Sequence, residues 1–252
     1  MALAAARAGA AVLQRAGLSR HTADLKAAGD YVTRFDRESE EAIVEVLATG
    51  APGIPVLAEE SGGSQAETRW AVDPLDGTTN FTRGLPLVAV SVALIGDGLP
   101  EVGVVIGPWL SFEAAAERGG DLLLNGQRLD RRPDPAPSGA VLATGFPFRR
   151  KDRLHRYEPM LAGALRRFED LRRPGAAALD LGWTATGALD GFFELGLGTW
   201  DMAAGACLVL AAGGRVSDWS GGEQWLRSGD ILAGPPRVHE ALLELAQQSS
   251  QR

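Results

Sequence analysis

"RWAVDPLDGTTNF", residues 69–81, decides how this chain is read. An apolar run, Trp70-Ala71-Val72, ends in Asp73, passes Pro74 and Leu75, and reaches Asp76 before a glycine and two threonines. The run predicts a strand, and a helix is expected to open at Gly77. Taken singly, Asp76 before Gly-Thr-Thr has an ordinary use as a helix cap. Taken together, the residues ask for more. Pro74 and Leu75 impose an extended approach, and the two acids stand three apart across a bend. A helix opening at Gly77 offers free amides and a positive end to an anion such as phosphate. Two carboxylates there attract hard, oxygen-preferring cations such as magnesium. Cations beside a phosphate at a helix start are the parts of metal-assisted phosphoryl hydrolysis. Thr78 and Thr79 add hydroxyls able to hold a water or a phosphate oxygen.

Upstream, residues 1–16 predict an alanine-rich helix. "VTRFDRESEEAIVEVLATG" predicts a turn and a second helix, with Glu38, Glu40 and Glu41 near its start and Gly50 near its end, in keeping with the macrodipole and C-cap rules. "GIPVLAEESGG" predicts a short buried strand running into an acidic loop at Glu59-Glu60. Downstream, two β-rich runs flank Gly96-Asp97-Gly98, and further hairpin material turns at Asn125-Gly126. "RRPDPAPSG", 131–139, holds three prolines and is the expected linker. Beyond it come "GAVLATGFP" and "GFFELGL" as strands, and helices in "RLHRYEPMLAGALRRF", "AALDLGWTATGAL", "WDMAAGACLVLAAGG" and "HEALLELAQQSS". The simplest organisation is two mixed α/β lobes in one unit, 1–134 and 135–252. Carboxylates stand at the end of a strand or the start of a helix at Glu59-Glu60, Asp73 with Asp76, and Asp201, with Asp36 a fourth candidate.

The totals narrow the function. A net charge of -7 argues against a broad basic surface for nucleic acid. No stretch approaches the roughly 20 apolar residues needed to span a membrane. Arg7 spoils the first apolar run as a secretory signal. The single cysteine, Cys207, makes no internal disulfide, reads as a small buried apolar residue, and suits a cytoplasmic protein. His21, His155 and His239 are scattered and read as surface residues. No HExxH, GxxxxGK[ST] or GxSxG pattern occurs.

"WAVDPLDGTTNF" resembles the first signature of the inositol monophosphatase family of magnesium-dependent, lithium-sensitive sugar phosphatases. "LAEESGG" resembles the family's upstream acidic loop, and "TWDMAAGACLVLAAGGRVSDWSGG" its second signature. "LLLNGQRL", "ATGFPF" and "RRPGAAALDLGWTATGALDGFFELG" are also similar to family segments, so the likeness runs from the first helix to "ILAGPP". The resemblance implies a layered α-β-α-β-α fold, often homodimeric, with two or three magnesium ions per site. It implies that Glu59 ligates the first and third metals and that Asp73 bridges the first two. The Leu75 carbonyl completes the first site, and Asp76 and Asp201 hold the second metal. Gly77 and Thr78 offer amides to the phosphate. Thr78 also holds the attacking water, its hydroxyl oriented by Asp36. Gly175, Ala176, Ala177 and Glu194 line the sugar pocket.

The implied chemistry is in-line attack on phosphorus by a water whose pKa one metal lowers, while the other steadies the leaving alkoxide. Thr79-Asn80-Phe81 resembles the inositol monophosphatase group. The expected substrate is therefore inositol 1-phosphate or a similar small polyol or sugar phosphate. Fructose 1,6-bisphosphate, histidinol phosphate and 3'-phosphoadenosine 5'-phosphate are the alternatives within the superfamily. A non-catalytic regulatory binder on the same fold is the alternative outside enzymology. A haloacid dehalogenase-type transferase, whose D-x-D-G-T acids stand two apart, fits the spacing less well. Ala176, where many members carry Ser or Thr, and Gly198-Thr199 before Trp200 depart from the family pattern without touching an implied metal ligand.

Overall fold

The protein was analysed as a computed structural model that describes residues 1–27, 30–130 and 134–249. The chain opens with α1 (Ala2–Ala16), a small hairpin of β1 (Asp24–Ala27) and β2 (Asp30–Val32), and α2 (Arg34–Gly50). Then come β3 (Val56–Ala58), β4 (Gly62–Gly63), β5 (Arg69–Asp76) and the short α3 (Thr78–Thr82). A meander follows: β6 (Ala89–Gly96), β7 (Leu99–Gly107), β8 (Phe112–Glu117), β9 (Leu123–Leu124) and β10 (Gln127–Arg128). The rest of the chain is β11 (Val141–Thr144), α4 (Leu154–Arg167), β12 (Asp170–Arg172), α5 (Ala177–Thr186), β13 (Gly191–Glu194), α6 (Thr199–Ala211), β14 (Arg215–Ser217), α7 (Trp225–Ser228), β15 (Ile231–Gly234) and α8 (Pro236–Ser249).

Among the described residues the strands form two large sheets. One has eight strands in the order β10-β9-β8-β7-β6-β5-β3-β4, antiparallel except for the β3–β5 pair. The other has five, β12-β11-β13-β15-β14, with parallel and antiparallel pairs. Helices α1 and α2 cover one face of the large sheet, α5 and α6 lie between the sheets, and α4 and α8 back the small one. The layers are thus α-β-α-β-α, as the resemblance implies.

Composition explains who sits where. Helix α6, "TWDMAAGACLVLA", is apolar on every side, so it can only be a buried layer. Its Met202, Ala203, Ala204, Ala206 and Leu208 join Ala93, Val105 and Phe192 in one cluster between the sheets. That cluster spans both sides of residue 135. Residues 131–133 of the expected linker lie outside the described ones, and the segment ends in a 3-10 turn at Pro137–Gly139. Helix α2 buries one stripe, Asp36, Ser39, Glu40, Ile43 and Leu47. The apolar end of the stripe enters the outer core and the polar end faces the loops around Asp73.

Gly50 stands at the end of α2 as expected, and Ala51 caps the helix by donating to the Leu47 carbonyl at 2.8 Å. Two expectations need correction. Glu40 does not serve the helix dipole from the surface. It is buried, and its carboxylate accepts the Glu60 and Ser61 amides at 2.9 and 3.0 Å, so it grips the acidic loop. His239 is buried rather than exposed, with its Nε2 2.8 Å from Ser217 Oγ. Cys207 is buried as expected. No helix among the described residues is long and apolar enough to cross a membrane.

Candidate metal and phosphate site

On a regular strand, residues three apart point to opposite faces. Asp73 and Asp76 do not, because the register of β5 against β6 shifts between them. Asp73 pairs with Ser91 and Asp76 with Ala89, so three steps on β5 match two on β6. One extra residue in a strand re-aims a side chain, and Pro74, which has no amide to give the ladder, sits in the bulge. Both carboxylates therefore face the side of the sheet that carries α6. Ser91 on that face donates to the Trp200 carbonyl at 2.9 Å, which seats the first turn of α6 and Asp201 beside them. The result is a trio, Asp73, Asp76 and Asp201, each offering a carboxylate oxygen within 4.8 Å of the others.

The bend beyond Asp76 is made by Gly77, which caps α3 at φ 89, a left-handed conformation that costs a glycine least. The Thr78 hydroxyl lies 3.2 Å from Asp36 Oδ1 and 3.2 Å from the Leu75 carbonyl. Asp36 is held in turn by a capping box, its Oδ2 accepting from the Thr33 amide at 2.8 Å and the Thr33 hydroxyl at 2.6 Å. Two of the acids also hold helix starts. Asp201 Oδ2 accepts the Gly198 amide at 2.6 Å, and Asp76 Oδ2 accepts the Ala178 amide at 2.7 Å. Asp76 thus caps α5, far away in sequence, rather than the helix that follows it.

These groups line a cleft of about 560 Å³. Glu59, Asp73, Leu75, Asp76, Gly77, Thr78, Gly175, Ala176, Ala177, Glu194 and Asp201 all border it. Asp36 lies behind Thr78 and is fully buried. Glu59 stands outside the trio, close enough to Asp73 for its charge to act there. The electrostatics suit a cation. Burial, then the charges of Glu59, Asp76 and Asp201, hold the Asp73 carboxyl well above the usual carboxylate range. Burial and Asp201 push Asp76 up to about 7 against the pull of the α5 amides. Burial and Asp201 raise Glu194 to about 8, with Arg173 opposing. Asp73 Oδ1 accepts the Leu75 amide at 2.9 Å, while its buried Oδ2 has no donor among the described residues. An unpartnered carboxylate oxygen between two further acids fits a divalent cation with oxygen ligands.

A profile of the inositol monophosphatase family matches residues 1–251. The chain belongs to the inositol monophosphatase family. Among relatives, it is 42% identical over 226 residues to Nus factor SuhB of Pasteurella multocida, covering 88% of this chain and 85% of that protein. Nus factor SuhB of Escherichia coli K12 is 43% identical over 224 residues, covering 88% and 84%. Among solved structures, extragenic suppressor protein suhB from Bartonella henselae superposes with a TM-score of 0.91 at 35% identity over 98% of this chain and 97% of that one. An IMPase from Thermotoga maritima gives 0.88 at 27% identity over 99% and 96%.

Fold does not fix substrate, so the remaining groups of the cleft matter. Phe146, Phe148, Arg149, Arg150, Lys151 and Arg173 also border the cleft. The run "FPFRRK" after a strand was the available signal. Asp180, inside α5, is 1% exposed with Oδ1 unpartnered among the described residues. Burial, then Glu194 and Asp76, raise its pKa well above the ordinary value. Gly145 borders Glu194 so closely that a Cβ there would lie 2.0 Å from its Oε1. Neither Asp180 nor Gly145 carries a local sequence signal.

Proposed function

We propose that this chain is a magnesium-dependent phosphomonoesterase acting on inositol 1-phosphate or a similar small polyol phosphate. The observation that carries this reading is the aspartate trio with its unpartnered Asp73 Oδ2, set beside the Gly77-Thr78 turn. Asp73, Asp76, Asp201, Glu59 and the Leu75 carbonyl would hold the magnesium ions. When bound, magnesium supplies the positive charge that acidifies a water and neutralises the phosphoryl oxygens.

The chain's own groups do the rest. The Gly77 and Thr78 amides bind the phosphoryl oxygens at the start of the bend. The Thr78 hydroxyl, fixed against Asp36 Oδ1 and the Leu75 carbonyl, positions the water for in-line attack. Asp36 stays in place because Thr33 donates to it twice. Glu194 and the Gly175–Ala177 backbone orient the polyol. The same reading takes the enzyme to be a cytoplasmic homodimer, supported by the family resemblance alone.

The test is phosphate release from inositol 1-phosphate with magnesium or with chelator, and with Asp201→Asn as control. Metal-dependent release that the variant loses is the expected result. Silence there, followed by release from a sugar, histidinol or nucleotide phosphate, moves the substrate within the superfamily. One observation favours a second reading: relatives 42% and 43% identical bear the name Nus factor. On that reading the chain is a regulatory binder on the same fold, with or without turnover. Folded wild type that releases phosphate from no ester, yet co-purifies with a partner, would replace the enzyme by the binder.

A further inference from the structure

Asp230, just before β15, stands outside the aspartate trio and outside the lining of the cleft. It is only 6% exposed, yet it carries two arginines. Arg153 Nη1 pairs with its Oδ1, and Arg156 Nη1 pairs with its Oδ2 at 2.8 Å. The Gly196 amide donates to the same Oδ1 at 3.3 Å. A buried carboxylate that takes three donors, two of them guanidinium groups, holds them firmly. Losing one partner leaves a charge or a donor without its match.

The three donors belong to two segments that do border the cleft. Arg153 and Arg156 stand where α4 begins, directly after the loop 146–151, which brings Phe146, Phe148 and Lys151 to the cleft. Gly196 lies in the stretch that leaves β13 at Glu194 and reaches Asp201 in the first turn of α6. That stretch is laid against the turn before β15. The Gly196 and Leu197 amides donate to the Gly229 carbonyl at 2.8 and 2.9 Å, and Trp219 Nε1 donates to the Glu194 carbonyl at 3.2 Å. Gly196 is left-handed, with φ 82, and a Cβ on it would meet Arg150 Cγ at 3.0 Å. The loop therefore packs on bare backbone, where only glycine leaves room.

We infer that Asp230 is a positioning residue for the phosphate ester: through Arg153 it sets the loop 146–151 against the stretch from Glu194 to Asp201, and so fixes the polyol side of the cleft. This rests on the phosphatase reading above and deepens it. Asp230 acts through the groups it holds, so its loss loosens ester binding while the metal-holding trio and the Thr78 turn stay in place. The plainer use of such a cluster is to dock α4 on the small sheet, and α4 supplies the control. At its other end Arg167 pairs with Glu244 of α8 at 2.6 Å and donates to the Ala241 carbonyl at 3.3 Å, far along the helix from the loop.

The experiment measures kcat and KM in saturating magnesium for the ester that wild type hydrolyses best, inositol 1-phosphate first. It compares wild type with Asp230→Asn, Arg153→Met, Arg153→Lys and Arg167→Met. Thermal melts show which variants fold, and the rate of tryptic cleavage after Arg149, Arg150 or Lys151 reads the loop itself. Asp230→Asn and Arg153→Met should raise KM about tenfold with kcat within about twofold, and both should be cleaved faster than wild type. Arg153→Lys keeps the charge without the planar fork and should recover part of KM. Arg167→Met should keep the wild-type KM whatever it does to the melting temperature. Should Asp230→Asn fail to fold, Arg153→Met against Arg153→Lys decides the matter. An unchanged KM in the Asp230 and Arg153 variants, a fall in kcat alone, or an equal rise of KM in Arg167→Met reduces the cluster to a brace for α4. Each of these overturns the positioning role and leaves the phosphatase intact. Release from no ester by folded wild type overturns the phosphatase reading and the positioning role with it.

Discussion

The acidic floor comes from a buried strand end and a half-buried helix start, whereas the cationic side of the cleft comes from a loop and an exposed turn. Asp73 and Asp76 are 1% and 8% exposed, and β5 and α6 lock them on both sides. Phe148, at 62%, belongs to the cationic side. The floor holds like charges together and leaves a carboxylate oxygen unpartnered, an arrangement that folding alone disfavours. The cationic side satisfies itself with rings and with local ion pairs. The floor therefore suits a cation, whose binding would recover that cost. Removing floor groups should abolish chemistry, and altering the pocket wall should change how tightly the ester is held.

The largest expected effect is on turnover. Asp76→Asn and Asp201→Asn should each lower kcat by about a thousandfold. Melting in chelator should show the same variants to be no less stable than wild type, since each removes a repelling charge. A variant that keeps activity would break the contrast between the floor and the cationic side.

The next effect is on stability against pH. Asp76, raised to about 7, and Glu194, raised to about 8, bind protons in the folded state that the unfolded chain has already lost. Linkage then makes folded, chelated protein lose stability as pH rises from about 4 through 7 and 8, by several kcal/mol in order of magnitude. Saturating magnesium should flatten that slope, read as melting temperature against pH with and without chelator. His239 acts in the opposite sense. Burial and then Arg215 lower it to about 4, so stability is lost as pH falls from about 6.5 through 4. Its share is about 3 kcal/mol and should survive in magnesium, then vanish in His239→Gln.

Smaller changes sharpen the comparison. Gly145→Ala should push the Glu194 carboxylate out of place and raise KM by about tenfold, with kcat less affected. Kinetics on inositol 1-phosphate would show a change in kcat alone if Glu194 does not orient the polyol. Asn80→Ala should cost about 2 kcal/mol in denaturant unfolding. Its Nδ2 ties α3 to the Leu87 and Pro174 carbonyls at 2.7 and 2.9 Å, so the phosphate turn loosens with it.

Much of the fold was legible because the signals were local. Asp97-Gly98 and Asn125-Gly126 turn real hairpins, with Asp97 and Asn125 at positive φ. The all-apolar α6 could only be an inner layer. Where local rules competed with tertiary contacts, they lost. Glu40 had the look of a dipole partner, but a loop 20 residues away claims it. His239 had no partner in sequence until β14 brought Ser217 to it.

The sequence by itself determined the family and, through that resemblance, the layered class, and it singled out acids that border the cleft, because motif residues are written along the chain. The tertiary structure alone decided how those acids meet. A bulge at Pro74 turns Asp73 and Asp76 to one face, and the Ser91 contact with Trp200 brings Asp201, 125 residues beyond Asp76, alongside them. It alone decided that Arg173 stands over Phe146 and Phe148 and that Gly145 leaves room for Glu194. Those contacts join segments distant in the chain, and only packing of one layer on another sets their distances.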